Sequence, residues 1–252
     1  VGECFHMVQH SNWKIFLENQ LDASHPGATH ESTGIAAQMV ERDMRADGRT
    51  PPLSYGFLSD FARLGIDGWG KFGTVGHPHG HCTLEGYMGL RPDDPDTNAY
   101  VRAMYESYGE ERAEEILGVN LHHSLIYPCM SIQPPLQQLR TIRPISPTRT
   151  MSEIWHFRLK GAPEAIYQRA LGYYYLVNSP STMVNADDLF NWWKVQHGLE
   201  SQGGDWVSFH RNAGFDIVDG NLIKSPEGSM SEMPLRHMMH VWRDYMTAEG
   251  GA

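Results

Sequence analysis

The stretch that decides both the fold and the chemistry of this chain reads Glu18-Asn19-Gln20-Leu21-Asp22-Ala23-Ser24-His25-Pro26-Gly27-Ala28-Thr29-His30. On a helix Asp22 and His25 are i, i+3 neighbours, so the carboxylate can hold one ring nitrogen of the histidine and leave the other for a metal. His30 comes five residues after His25, which is about 140° around a continuous helix. We therefore expect a break at Pro26-Gly27, where regular helix is costly, to bring the two imidazoles together.

A metal held by two histidines needs a further ligand, and the sequence offers a carboxylate in an unusual setting. Asp188 shares one helical stripe with apolar residues at i-4, i+4 and i+7, namely Val184, Trp192 and Val195. A carboxylate among apolar neighbours is costly unless it is paired or bound to a metal. The adjacent Asp187 falls on a polar strip and stays open as the alternative ligand. Two histidines and one carboxylate leave coordination positions vacant, as in non-haem Fe(II) sites.

The composition favours small molecules or proteins as partners. The chain has 252 residues, and 30 acidic against 20 basic residues give a formal charge of -10, which disfavours nucleic acid and anionic membranes. Residues 1–10 lack the pattern of a signal peptide, and no apolar run approaches the ~20 residues of a membrane span. Cys4, Cys82 and Cys129 are too few and too scattered for a disulfide framework, which predicts a reducing, cytoplasmic location.

The spacing of apolar residues predicts an α+β fold in which an antiparallel sheet packs on helices. Helices are predicted at 97–118, 181–197 and 232–248, and strands at 121–132, 136–145, 151–159, 206–210 and 215–223. The segment 46–96 is rich in Gly, Pro and Asp and predicts loops and short strands, one of them at 53–58. Within 151–159, Trp155, Phe157 and Leu159 alternate with His156 and Arg158, which predicts that the aromatic face packs.

Motifs along nearly the whole chain resemble those of one family. Asn12-Trp13-Lys14, followed by Glu18-Asn19, Asp22, His25 and His30, resembles the start of the catalytic domain of Rieske-type ring-hydroxylating oxygenase alpha subunits. The resemblance continues through residues 120–133, the segment that carries Asp187-Asp188, and a closing helix rich in Met and Trp. It implies a helix-grip (START-like) fold, in which an antiparallel sheet wraps around a long C-terminal helix.

The resemblance also implies roles for individual residues. His25, His30 and Asp188 would bind Fe(II), with Asn19 close to the iron. Asp22 would link His25 to the Rieske cluster of a neighbouring subunit. The implied reaction is the O2-dependent mono- or dioxygenation of an aromatic or other organic substrate. NAD(P)H would supply electrons through a separate reductase, with or without a ferredoxin, and the intact protein would be a homotrimer or an α3β3 assembly.

We interpret residues 1–252 as a single mononuclear-iron catalytic domain that lacks the Rieske [2Fe-2S] domain. Such a cluster needs a C-x-H and a C-x-x-H pair; Cys4-Phe5-His6 matches the first, but neither Cys82 nor Cys129 is followed by histidine three residues on. In the family the Rieske domain comes first, so we expect the natural protein to extend upstream. Two departures, Ser24 where the family commonly has Tyr and Pro26-Gly27 in place of bulkier residues, bear on the substrate pocket rather than on metal binding.

Other interpretations stay open at this level. A helix-grip domain without metal would bind a hydrophobic ligand, and a zinc hydrolase would use Glu31, beside His30, as a base, although no further pattern of that class follows. The run His77-Pro78-His79-Gly80-His81-Cys82 offers a second metal site, but Pro and Gly predict a turn whose imidazoles diverge. The pair His122-His123 lies in a predicted strand, so the two side chains should point to opposite faces.

Overall fold

The computed structural model of the chain describes residues 2–86, 91–119, 121–201 and 203–248. Its strands are β1 Cys4–Gln9, β2 Gly73–Gly76, β3 Cys82–Glu85, β4 Leu121–Ile126, β5 Met130–Gln133, β6 Gln138–Ser146, β7 Arg149–His156, β8 Ile217–Asp219 and β9 Leu222–Lys224. They form one sheet in the order β1-β7-β6-β5-β4-β3-β2-β9-β8, and each neighbouring pair is antiparallel. The predicted α+β class with an antiparallel sheet is therefore confirmed. Asn120, the first residue of the motif at 120–133, lies outside the described residues.

Helices pack against this sheet and fill the connections between its strands. They are α1 Trp13–Leu21, α2 His25–Thr29, α3 Glu31–Ala46, α4 Leu53–Arg63, α5 Gly65–Trp69, α6 Pro95–Tyr108, α7 Glu110–Leu117, α8 Glu164–Tyr173, α9 Met183–Glu200 and α10 Met233–Thr247. The predicted helix at 97–118 is divided into α6 and α7 by Gly109, whose φ of 76° is outside the helical region. The predicted hairpin at 215–223 is formed by β8 and β9, whereas residues 206–210 form no strand.

The segment 46–96 contains helices α4 and α5, so the strand predicted at 53–58 is wrong. Helix α4 buries Leu58 and Phe61, which lie i, i+3 apart on one face. Helices α3 and α4 approach closely at Gly34, where an added Cβ would lie only 2.4 Å from the backbone nitrogen of Ala62. A short apolar run fits either a strand or a buried helix, and here the packing partner decides.

In strand β7 the face that carries polar side chains is the buried one, contrary to the prediction. Ser152, Ile154 and His156 are buried while Trp155 is partly exposed, so the predicted packing face is the wrong one. The buried polar side chains have partners: Gln9 donates a hydrogen bond to Oγ of Ser152 (2.6 Å), and Nε2 of Gln138 lies 3.3 Å from Nε2 of His156. Partners on neighbouring strands make a polar inner face tolerable, and the sequence of β7 alone does not encode them.

Helix α1 lies at the centre of the main core. Phe16 and Leu17 are fully buried, and the cluster around them joins four strands to α9 and α10 through Met7, Cys82, Leu125, Ile142, Trp192, Leu235 and Met238. The C-terminal helix takes part with its first half, because Tyr245 and Met246 are exposed. Because α1 is packed on the sheet, its end also determines the position of residues 22–30, which follow it directly. None of the described helices is both long and apolar enough to cross a lipid bilayer.

Candidate metal centre

The chain turns sharply between α1 and α2, and Asp22 organises that turn. Its carboxylate accepts hydrogen bonds from the backbone amide of Ser24 (3.1 Å), the hydroxyl of Ser24 (2.6 Å) and the backbone amide of His25 (3.0 Å). Helix α2 then opens with His25 and Pro26, since proline is tolerated in the first turn of a helix. The predicted break exists, but it lies at 22–24 rather than at Pro26-Gly27.

Gly27, one of the departures from the family pattern, lies where α2 meets α5. An added Cβ would lie 3.2 Å from the backbone carbon of Gly65 and 3.2 Å from the backbone nitrogen of Ile66. A larger residue would push away α5, which ends at Trp69, a residue that lines the cavity described below. The small residue here sets the distance between two helices that border the site.

The turn and helix α9 bring His25, His30 and Asp188 together. One ligand atom from each lies within 4.8 Å of the others. Oδ1 of Asp188 is 3.2 Å from Nε2 of His30 and 4.0 Å from Nε2 of His25. Two atoms that each lie about 2.1 Å from one ion can be at most about 4.2 Å apart, so both separations suit a shared metal. In the part of the chain that the structure describes, no second group of three such side chains occurs.

The environment of His30 suits a bound cation. The residue is 1% exposed, yet neither ring nitrogen has a hydrogen-bond partner among the described residues. The 3.2 Å approach of Nε2 to Asp188 is too poorly aligned to be a hydrogen bond. Buried polar atoms without partners cost free energy. A metal ion between this imidazole and this carboxylate would satisfy both.

Asn19 lies between the same groups from the side of α1. Its amide nitrogen donates a hydrogen bond to Oδ1 of Asp188 (3.3 Å) and lies 3.1 Å from Nε2 of His25. An amide nitrogen can only donate, so Nε2 of His25 acts as the acceptor and Nδ1 carries the ring proton. The nitrogen that faces Asp188 is therefore the one with a lone pair available for a metal.

Each histidine also has a carboxylate beside its other ring nitrogen. Nδ1 of His25 lies 3.3 Å from Asp22, and Nδ1 of His30 lies 3.6 Å from Asp187. Carboxylates in such positions orient the imidazoles of metal sites. Asp187 was the alternative ligand, but its side chain is 42% exposed and faces the far nitrogen of His30. The side chain of Asp188 is 15% exposed and faces Nε2 of both rings.

The acidic surroundings shift the titration of this turn. Burial alone would raise the pKa of Asp22, but the His25 ring and the hydrogen bonds from Ser24 outweigh it and hold that pKa well below its ordinary value. Burial alone would lower the pKa of His25, but Asp22 and Asp188 outweigh it and raise that pKa. Both directions indicate a site in which positive charge is favoured.

Helix α9 carries Asp188 inward on a stripe that differs slightly from the predicted one. Val184 and Trp192 are buried on either side of Asp188, as predicted. Val195 is 44% exposed, and Gln196 is buried in its place. The stripe therefore continues in steps of four residues, because the helix packs along one row of side chains.

The prediction that His122 and His123 point to opposite faces is wrong. Both residues line the same cavity, and their ring centroids are 4.3 Å apart. The register explains this, since Leu84 of β3 pairs with His123 and the next residue, Glu85, pairs with Leu121. Such a bulge places an extra residue in one strand and interrupts the alternation of faces.

A cavity of about 80 Å³, the inner cavity, opens at the three candidate ligands. Among its other lining residues are Phe61, Trp69, His122, His123, Gln133, Arg140 and Tyr173. Sequence reasoning missed Arg140. The signal was available, since Gln138, Arg140 and Ile142 alternate along β6 and so share one face with an apolar residue.

A second cavity of about 720 Å³, the outer cavity, also touches Tyr173. Its wall is largely apolar, and it includes Phe57, Val101, Ile116, Leu136, Ile166 and the charged Arg169. Tyr173 is thus part of the wall of both cavities.

The histidine run at 77–82 is engaged in local hydrogen bonds. Nε2 of His77 lies 3.1 Å from the hydroxyl of Thr83, and Nδ1 of His81 accepts from the backbone amide of Tyr127 (2.9 Å). The rings of His79 and His81 have centroids 6.3 Å apart. The run forms a turn, as predicted, and its histidines do not belong to the group of potential metal ligands found among the described residues.

Comparison with known proteins fits this geometry. The family model described as the ring hydroxylating alpha subunit (catalytic domain) matches residues 1–248. The chain belongs to this family. As a ring-hydroxylating alpha subunit it is 26% identical to the large subunit of 2-halobenzoate 1,2-dioxygenase from Burkholderia cepacia, over 92% of this chain and 46% of the relative. It is 27% identical to the alpha subunit of benzene 1,2-dioxygenase from Pseudomonas putida, over 94% of this chain and 52% of the relative.

The fold of this ring-hydroxylating alpha subunit is also found in solved structures. A mutant of naphthalene 1,2-dioxygenase bound to phenanthrene aligns with a TM-score of 0.73 and 17% identity, over 98% of this chain and 55% of that one. Naphthalene 1,2-dioxygenase from Rhodococcus sp. bound to indole aligns with a TM-score of 0.65 and 19% identity, over 99% of this chain and 57% of that one. The predicted fold is thereby confirmed, and the chain spans about half the length of the curated relatives it matches.

Proposed function

We propose that this chain is the mononuclear-iron catalytic part of an oxygenase that uses O2 to hydroxylate an aromatic substrate. The observation that carries the proposal is the convergence of His25, His30 and Asp188 within 4.8 Å, together with a buried His30 whose two ring nitrogens lack a hydrogen-bond partner among the described residues. Membership in the ring-hydroxylating family supports iron over other metals. The names of the relatives, which act on 2-halobenzoate and benzene, support an aromatic substrate.

Ferrous iron, when bound, would supply the chemistry that activates O2 for reaction with an organic molecule. His25 and His30 would hold it through Nε2, and Asp188 through its carboxylate. Asp22 and Asp187 would keep the two rings in place from the opposite side. Phe61 packs edge-on against His30, with ring centroids 5.3 Å apart, and limits the access of water to this ligand.

Electrons would have to reach this site from elsewhere in the complete protein. We propose that they enter near Asp22, which remains partly exposed (23%) while lying 3.3 Å from His25. A Rieske [2Fe-2S] cluster outside residues 1–252, on a neighbouring subunit, would deliver them, supplied by a reductase with or without a ferredoxin. A trimeric or α3β3 assembly in the cytoplasm is part of the same proposal.

The test is anaerobic reconstitution of the chain with Fe(II), followed by titration with nitric oxide under electron paramagnetic resonance. We expect a high-spin iron nitrosyl signal in the wild type and its loss in Asp188→Ala. The matched control is Asp187→Ala, which removes the same charge one residue earlier and should keep most of the signal. Full iron affinity in Asp188→Ala, or preferential binding of Zn(II) with no iron signal, would refute the assignment.

A further inference from the structure

Arg140 is the one arginine that lines the inner cavity in the described part of the chain. It projects from β6 and is 3% exposed. Its Nε donates a hydrogen bond to Oε1 of Gln138 (3.0 Å), and the guanidinium lies 5.5 Å from the ring centre of Phe16. The guanidinium is therefore held on the cavity wall by the hydrogen bond at Nε and by its position over the Phe16 ring.

The two terminal nitrogens of Arg140 have no such partner. Among the described residues, the hydrogen bond of this guanidinium is made by Nε, and the terminal nitrogens Nη1 and Nη2 stay open to the cavity that Arg140 lines. Arginine carries a fixed positive charge with five N–H donors, so two donor groups remain unused. A buried cation is costly unless an anion or other acceptors compensate it. An anionic ligand in the cavity would supply that compensation.

Nearby protein groups do not supply it. Burial lowers the pKa of Arg140 to about 10, which still leaves the group charged at neutral pH, and Asp188 is the acid that acts on it. Asp188 is the proposed ligand of a dication, which takes up more than its single negative charge. Burial lowers the pKa of His122 to about 4, so this neighbour adds no charge of either sign at neutral pH.

We propose that Arg140 binds the carboxylate of a small aromatic acid, and thereby selects anionic over neutral substrates at the metal. This inference rests on the proposed function, because it assigns the substrate class of the same site. The planar fork of Nη1 and Nη2 matches the two oxygens of a carboxylate. The small volume of the inner cavity, about 80 Å³, favours a single-ring ligand over a larger one. It is smaller than the ~150 Å³ cavity that holds benzene in another protein, so side chains must move on binding.

The experiment uses two ligands of nearly equal shape that differ in charge, 4-fluorobenzoate and 4-fluorobenzamide. Their binding to the chain is followed by fluorine NMR, anaerobically with Fe(II), whose unpaired electrons broaden a nearby fluorine signal, and with Zn(II) as the diamagnetic reference. We expect wild type to bind the benzoate about 10-fold to 100-fold more tightly, the range of a charge-assisted hydrogen bond. Equal affinities for the two ligands would overturn the inference without any mutation.

Variants then separate Arg140 from the metal as the carboxylate partner. Arg140→Met should bring the affinity ratio close to one, and Arg140→Lys should keep part of it, because lysine retains the charge but loses the fork. Arg169→Met, a control in the outer cavity, should keep the full ratio. Persistence of the preference in a folded Arg140→Met protein, checked by circular dichroism, would mean that the metal holds the carboxylate and would overturn the inference.

The proposed function and this inference fail in different ways. Absence of the nitrosyl signal in wild type would refute the iron site, whatever the two ligands do with Zn(II). A normal nitrosyl signal together with equal affinities would leave the oxygenase assignment intact and remove the role of Arg140.

Discussion

The inner and outer cavities differ in almost every physical respect. The inner cavity has a volume of about 80 Å³ and is lined by candidate metal ligands, buried histidines and an arginine. The outer cavity has a volume of about 720 Å³ and a wall that is largely apolar. The potential metal ligands thus line the small inner cavity, whereas most of the empty volume is in the outer cavity. Tyr173 belongs to the wall of both.

The two cavities also differ in how their chemically important polar groups are paired. Both ring nitrogens of the buried His30 lack a hydrogen-bond partner among the described residues, whereas the charged Arg169 at the outer cavity is paired with Asp94 (2.9 Å) and Thr97 (3.1 Å). Unsatisfied buried polar groups are rare in folded proteins and concentrate at functional sites. Mutations in the wall of the inner cavity should therefore change the binding of metal or ligand. Mutations in the wall of the outer cavity should change mainly the free energy of unfolding.

The largest effect is expected from His30→Ala. A metal present at about 1,000 times its dissociation constant stabilises the folded state by about 4 kcal/mol, on the order of 10 °C in melting temperature. We expect this shift when Fe(II) is added anaerobically to wild type, and none in His30→Ala, as measured by scanning calorimetry. His197→Ala, an exposed histidine on α9, should keep the shift. If Fe(II) raised the melting temperature of His30→Ala as much as that of wild type, the metal would not be bound through His30 at the inner cavity.

Tyr173→Ala tests whether this side chain separates the cavities. Joining the inner and outer spaces should admit a two-ring acid, so we expect 2-naphthoate to bind at least about tenfold more tightly than to wild type, in keeping with burial of added apolar area. Phe57→Ala enlarges only the outer cavity and should not change this affinity. Tyr173→Ala truncates a buried aromatic residue and should lose about 3 to 5 kcal/mol of stability, whereas Phe57 is only partly buried and its truncation should cost less. Calorimetric titration at low temperature is therefore the suitable measurement.

Glu18, beside Asn19 on α1, should make stability depend on pH. Burial raises its pKa to about 7, Lys14 opposes the shift and Glu232 adds to it. The folded state therefore binds this proton more tightly than the unfolded state, so the contribution of Glu18 to stability is full below about pH 4.5 and is lost as the pH rises through about 7. Urea unfolding from pH 5 to 8 measures this effect. In Glu18→Gln the fall in the free energy of unfolding over this range should be smaller than in wild type by on the order of 2 kcal/mol, whereas the exposed Glu227→Gln should show the same fall as wild type.

Asp94→Ala should give the smallest effect, confined to the wall of the outer cavity. Asp94 caps α6 by accepting from the amides of Asp96 and Thr97, both at 3.0 Å. Loss of such a cap costs about 1 to 2 kcal/mol in urea unfolding, and iron binding should not change. Asp93→Ala removes an exposed neighbour and should cost less. A loss of iron affinity in Asp94→Ala would show that the two cavities are coupled.

Local sequence predicted the groups that meet at the candidate metal centre, because short-range chemistry marks them. His25 and His30 lie within one turn, and Asp188 stood out as a carboxylate between Val184 and Trp192. The break at 22–24 was misplaced by a few residues, because the hydrogen bonds accepted by Asp22 end α1 before Pro26 is reached. The roles of these residues as iron ligands remain the proposal that the experiments above address.

The sequence by itself determined the class of fold, the family and the residues that meet at the candidate metal site, because periodicity and motif spacing are local properties of the chain. Only the tertiary structure decided that a bulge turns His122 and His123 to one cavity, that Ser152 and His156 of β7 are buried, and that Arg140 lines the same cavity as Asp188. These features depend on the register of neighbouring strands and on which distant groups satisfy a buried charge, and such information appears only when the strands and helices pack together.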